Sequence, residues 1–203
     1  MIQSTQTARG LWTVRLNRPD KANALTPEML EELIDTVDRA QQARALILTG
    51  VGKVFSAGAD LDAARAGLAT SPLWEDLSAR LAALPCLKIA ALNGTVAGGA
   101  NGMVLACDIR IAVPGLKVFY PVMRLGYLPQ PSDVVRLRAL IGPARTRMLL
   151  VAGQKFSARE AYDFGLIDRI VEPEDLMSVA GDLADPTLDA DPDRAAAILR
   201  SCS

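Results

Sequence analysis

Two spacings of apolar residues divide the chain. Short runs rich in β-branched and aromatic residues read as strands: L11-W-T-V-R-L16, A45-L-I-L-T49, K88-I-A-A-L92, D108-I-R-I-A-V113, K117-V-F-Y120 and I167-D-R-I-V171. The run V54-F-S-A-G-A-D60 starts as a strand and passes into a small-residue turn, with a helix starting near Asp60. Elsewhere the apolar residues fall at helical spacing. Met29, Leu30, Leu33, Ile34 and Val37 follow Thr26 as a cap and Pro27 at the first helical position. Leu73, Trp74, Leu77, Leu81 and Leu84 form one face of a second helix that stops at Pro85. Further helices are expected over Met103–Ala106, Ser132–Leu140 and Pro143–Val151, and after the cap Ser157. Strands alternating with helices argue an α/β fold. The wholly apolar A45–T49 run predicts a strand covered on both faces. Beyond Glu172 the pattern weakens, and D185-P-T-L-D-A-D-P-D193 reads as a linker, with a short helix from Arg194 to Arg200. The expected organisation is therefore a core domain over residues 1–171 and a short, acidic, partly linker-like segment over 172–203.

Chemistry concentrates where the pattern breaks into small residues. The strand ending at Leu92 runs into N93-G-T-V-A-G-G-A-N-G102 and then a buried helix. Such a turn lets backbone amides face a ligand closely, because no Cβ obstructs approach and the first helical N–H groups lack partners. The same glycines also suit tight strand–helix packing. Neither a Walker loop nor a dinucleotide-binding turn fits, since Ala100 and Asn101 replace the required Lys and Ser/Thr and no G-x-G-x-x-G ends a strand. A strand followed by a small-residue turn occurs twice, at S56-A-G-A-D60 and at A97-G-G-A100. Two such turns can supply two N–H donors to one oxygen, which is the requirement for an oxyanion hole.

Composition narrows the chemistry. The chain has 203 residues, no histidine, three scattered cysteines and a net charge of −1. A metal centre, a histidine base and a disulfide framework are not expected, and a reducing, cytoplasmic setting fits. The charge balance gives no reason to bind nucleic acid, and no apolar run has the length of a membrane span. The charges are segregated, however. Residues 117–159 hold eight basic side chains against the single acid Asp133, and residues 172–193 hold eight acids and no Lys or Arg. These are either solvated faces or, for the basic section, a surface for a polyanion.

The motifs L16-N-R-P-D-K-A-N-A-L25, F55-S-A-G-A-D-L61, N93-G through C107-D-I-R110, Pro121 with L125-G126, and F156-S-A-R-E-A through G165-L-I-D168 stand in one order. In these the chain resembles the crotonase, or enoyl-CoA hydratase/isomerase, superfamily from about Leu11 to Leu176. The resemblance implies a spiral of ββα units with a helical C-terminal part, shortened here, and assembly as a homotrimer or hexamer. It implies an acyl-CoA thioester as ligand, with coenzyme A as part of the substrate and no prosthetic group. By the same resemblance the amides of Ala57 and Gly99 form the oxyanion hole. Lys21, Ala22 and Ala24, with Gly58, Ala59, Asp60 and Leu61, form the coenzyme A surface.

Two positions depart from the family pattern. The glutamates with which its hydratases activate water fall on Gly102 and Val122, neither of which transfers a proton. Asp133 is the candidate acid/base in their stead; its alternative reading is a charge complementing the dipole of the helix that begins beside it. Asn101 is read either as a substrate contact or as a cap. Two functions stay open: an enzyme of lyase or isomerase type acting through an enolate, such as a decarboxylation that needs no base, and a non-catalytic acyl-CoA binder or partner subunit.

Overall fold

The strand Ala45–Gly50 shows how the layers arise. Leu46 and Leu48 enter one hydrophobic core, and Ala45 and Ile47 enter a second on the opposite face. This is the period of two that a strand covered on both sides requires. Its neighbour Leu87–Leu92 divides in the same way, with Ala90 and Leu92 on one side and Ile89 and Ala91 on the other.

The computed structural model describes residues 1–202. In chain order the elements are β1 (Ile2–Gln6), β2 (Leu11–Leu16), α1 (Pro27–Arg39), β3 (Ala45–Gly50), β4 (Val54–Ser56), α2 (Leu61–Arg65), α3 (Leu73–Ala83), β5 (Leu87–Leu92), β6 (Thr95–Ala97) and α4 (Ala100–Leu105). There follow β7 (Ile109–Ala112), β8 (Lys117–Phe119), α5 (Val122–Leu125), α6 (Pro131–Leu150), β9 (Phe156–Ser157), α7 (Ala158–Asp163), β10 (Arg169–Ile170), α8 (Leu176–Asp189) and α9 (Pro192–Ser201). A six-stranded sheet runs β1-β2-β3-β5-β7-β10, antiparallel only between β1 and β2. A four-stranded sheet runs β4-β6-β8-β9. Consecutive strands therefore alternate between the sheets, β3 then β4, β5 then β6, β7 then β8, each pair followed by helix. That is the expected ββα spiral.

Local chemistry sets the boundaries. Thr26 accepts from the Met29 amide and caps α1, and Ser157 with Glu160 closes a complete capping box on α7. Gly142, at φ 75°, breaks α6 into the two helices that Pro143 predicts. Buried charges pin the sheet from beneath. Lys88, 2% exposed, bonds to the carbonyls of Leu84 and Cys86 and pairs with Asp108 at 3.0 Å. Arg110 donates to the carbonyls of Cys107 and Leu166 and pairs with Asp168.

The C-terminal segment corrects the linker reading. Residues 176–189 form α8, whose stripe of Leu176, Ala180, Ala184 and Leu188 covers the second core face of β3, β5 and β7. Each buried leucine there contributes roughly 1.5–3 kcal/mol. The aspartates are held from outside the segment: Arg9 pairs with Asp185 and Asp189, and Arg44 donates to the carbonyls of Thr187 and Ala190 at the end of α8. The next helix starts earlier than expected, at Pro192, with Asp191 as its cap. The polar N-terminus is also ordered: β1 pairs with β2 along its full length. No helix among the described residues is long and apolar enough to cross a membrane.

Candidate active site

The two small-residue turns meet. A Cβ built on Gly58 would lie 2.7 Å from the Ala97 carbonyl oxygen and 3.5 Å from the Gly98 Cα, so only glycine allows this approach. Gly58, at φ 86°, and Gly98, at φ 55°, occupy the left-handed region that glycine enters without cost.

The first turn is fixed by the loop over residues 18–25. Leu25 donates to the Gly58 carbonyl and accepts from the Asp60 amide, both at 2.8 Å. Ser56 Oγ donates to the Asn23 carbonyl at 2.8 Å and accepts from the Gly58 amide. Asn23, fully buried at φ 51°, donates from Nδ2 to the carbonyls of Val51 and Val54. Arg18 bonds both the Ala24 carbonyl and the Asp60 carboxylate, the latter at 2.8 Å. The Arg18 hydrogen bond holds the Asp60 carboxyl below its ordinary range, and Asp60 caps α2. The two segments expected to receive coenzyme A, Lys21, Ala22 and Ala24 on one side and Gly58 to Leu61 on the other, thus lie side by side. Lys21 is exposed there.

The amide expected from this turn already has an acceptor. Ala57 donates to the Ala22 carbonyl at 3.0 Å and is already committed to joining the loops. Ala59, two residues on, accompanies Leu25 in a parallel bridge in which Gly58 and Asp60 make the hydrogen bonds. Its own N–H has no acceptor among the described residues. Sequence spacing does not separate these two alanines, because both follow the strand in a small-residue run. Only the bonding of the neighbouring loop does.

The second turn leaves one amide without an acceptor among the described residues. Gly98 donates to the Phe119 carbonyl, while Gly99, the residue before α4, makes no backbone donation outside that helix. The Trp74 indole packs where a Gly99 side chain would start, 2.9 Å from such a Cβ, and is fixed by its own bond to the Leu68 carbonyl. Asn101 resolves as structural: its Nδ2 bonds the carbonyls of Gly98 and Phe119.

Ala57, Ala59, Gly98 and Gly99 share one cavity of about 260 Å³. Its remaining wall is mainly apolar, with Trp74, Phe119, Tyr120 and Val122 inside and the exposed Leu61, Leu125 and Leu128 at its edge. No Asp or Glu among the described residues lines it. A larger cleft, about 730 Å³, lies between α8, α9 and the segments 41–44 and 85–87. It touches neither glycine turn, so the smaller cavity is the candidate site.

Asp133 stands in the first turn of α6 and is not part of the cavity wall. It is fully buried, accepts from the Tyr120 hydroxyl at 3.0 Å, and leaves Oδ1 without a partner. Burial pushes its carboxyl up to about 7, against the lowering effects of Tyr120 and Arg136. Gly102 faces it, and Val122 sits on the cavity wall. Tyr120, which no sequence signal marked, is the residue connecting Asp133 to the cavity. Its phenol is held neutral, first by burial and then by Asp133.

The family profile of enoyl-CoA hydratase/isomerase matches residues 6–202. YngF of Bacillus subtilis, which bears the same family label, is 39% identical over 181 residues, 84% of this chain and 69% of that protein. The 1,2-epoxyphenylacetyl-CoA isomerase of Escherichia coli K12 is 34% identical over 188 residues, 87% of this chain and 72% of that one. The crystal structure of an enoyl-CoA hydratase from Bacillus anthracis superposes with a TM-score of 0.89 at 31% identity, covering 96% of this chain and 79% of that chain. With its alternating sheets and paired turns, the chain belongs to the enoyl-CoA hydratase/isomerase family and has the crotonase fold.

Proposed function

We propose that the protein binds an acyl-CoA thioester and polarises its carbonyl between the amides of Ala59 and Gly99, without acting as an ordinary hydratase. The observation that carries this reading is that two amides without acceptors border one apolar cavity whose wall offers no carboxylate. A thioester oxygen placed between such donors gains most as it becomes an enolate; losing one donor of this kind costs roughly 3–4 kcal/mol. Coenzyme A arrives as part of the substrate and lies over the joined loops, with Lys21 toward its phosphates. The mainly apolar wall, which also includes Arg124 and Gln130, suits an acyl group that is largely hydrocarbon. Assembly into the trimer or hexamer implied by the family belongs to the same reading, and sedimentation tests it.

Hydration needs one group to deprotonate water and another to protonate C2, both within hydrogen-bond reach. Val122 on the wall and Gly102 behind it supply neither. A second reading, acyl-CoA binding without turnover, is favoured by that same wall.

Calorimetry with butyryl-CoA and with butyrate separates these readings from no function at the site. Binding of the thioester and weak or absent binding of the free acid is the expected result. Equal affinity for both, or none for either, overturns the proposal.

A further inference from the structure

Tyr120 and Asp133 form a buried pair that the thioester-binding reading leaves unused. Tyr120 belongs to the cavity wall, and its hydroxyl donates to Asp133 Oδ2 at 3.0 Å. Behind it, Asp133 Oδ1 is buried with no partner, which costs stability. A carboxylate kept from water, bonded through one oxygen to a cavity phenol and placed beside Gly102, is arranged to exchange a proton with whatever the phenol touches.

We propose that Tyr120 is a catalytic residue, and that Asp133 acts through it as the proton acceptor for removal of a C2 proton from a bound acyl-CoA. This inference rests on the proposed thioester site and extends it from binding to a reaction class, reversible proton transfer at the carbon beside the carbonyl. In the step, the C2–H bond breaks and its electron pair forms the enolate, whose charge rests on the thioester oxygen. The proton passes to the Tyr120 oxygen as the phenolic proton passes to Asp133 Oδ2. Return of the protons restores both residues, and delivery at a different carbon would migrate a double bond. No water is added and no second carboxylate is required.

The charges facing Asp133 are few. Tyr120 and Arg136 favour its ionised form, and Glu75 on α3 opposes it, while burial sets the carboxyl near 7. Glu75 itself accepts from the Ser132 amide, and Arg136 bonds Ser78 and Ser132. The acceptor is therefore a group that changes state around neutral pH, the range in which a base is effective.

The test is exchange of the C2 protons of butyryl-CoA in D2O, followed by proton NMR, with thioester affinity measured in parallel. The intact protein is expected to catalyse exchange at a rate that rises with pH through about 7 and then levels. Tyr120→Phe and Asp133→Asn should lower exchange by about 100-fold or more while still binding butyryl-CoA, and Asp133→Glu should restore part of it. Should either variant fold poorly, the pH profile of the intact protein stands alone as the check. Binding without exchange, exchange flat across neutral pH, or undiminished exchange in Tyr120→Phe overturns the relay and leaves the binding site intact. Loss of thioester binding in the intact protein instead removes the reading beneath it.

Discussion

A Cβ on Gly102 would lie 3.0 Å from Asp133 Oδ1. Gly102, onto which the resemblance puts a hydratase glutamate, therefore faces a carboxylate that comes from a different helix, α6. The two cannot both carry acidic side chains without one moving.

This relationship sets the terms for restoring hydration. Gly102→Glu alone is expected to lower the melting temperature and give no crotonyl-CoA hydration, because the new side chain meets Asp133 in a site that already disfavours charge. Gly102→Glu, Val122→Glu and Asp133→Gly combined should show measurable hydration above the parent. A parent protein turning over crotonyl-CoA at ~10 per second would show that an acid/base pair exists elsewhere.

Gly58→Ala should damage the site through backbone alone. At φ 86° an alanine is strained by roughly 1–3 kcal/mol, and its Cβ would stand 2.7 Å from the Ala97 carbonyl oxygen. Separation of the turns should weaken butyryl-CoA binding as well as lower denaturant stability. Gly67→Ala is the control: its φ of 109° is strained too, but nothing lies within 4 Å, so stability falls and binding holds.

Asp133 should leave a mark on stability against pH. Its folded value, about 7, lies above the ordinary aspartate value of 3.8, so between them the folded state binds more protons than the unfolded one. Stability then falls as pH rises through that window, by on the order of 4 kcal/mol from this group. Denaturant titrations at a series of pH values should show Asp133→Asn removing that part of the slope.

The Lys88–Asp108 pair should respond asymmetrically. Asp108→Ala leaves an ammonium that is 3% exposed without its counter-charge, and a loss approaching 3–5 kcal/mol is the expected order, roughly, for such a break. Asp108 also accepts from the Lys88 backbone amide, and that bond is lost too. Lys88→Met removes the charge itself and should cost less. Chemical denaturation of both variants checks the order, and equal losses would contradict it.

Much of this protein follows from sequence alone. The unbroken apolar run A45–T49 places a strand between two covering layers, and the caps Thr26, Asp60 and Ser157 start helices where they stand. These are local effects, decided by the nearest few side chains. The small-residue runs likewise mark both turns, since a close approach of backbone to backbone needs glycine wherever it occurs.

Tertiary structure decided the rest, because the deciding partners lie far along the chain. Ala57 and Ala59 are equivalent as letters; Ala22, thirty-five residues earlier, takes the amide of one and leaves the other free. The segment 185–193 has the composition of a linker, yet Arg9 and Arg44 neutralise and cap it and the sheet buries its Leu188. Asp133 reads as a candidate acid/base or a helix N-terminal charge, and folding sets it against Gly102 and Tyr120, where burial, a long-range property, pushes its carboxyl up to about 7.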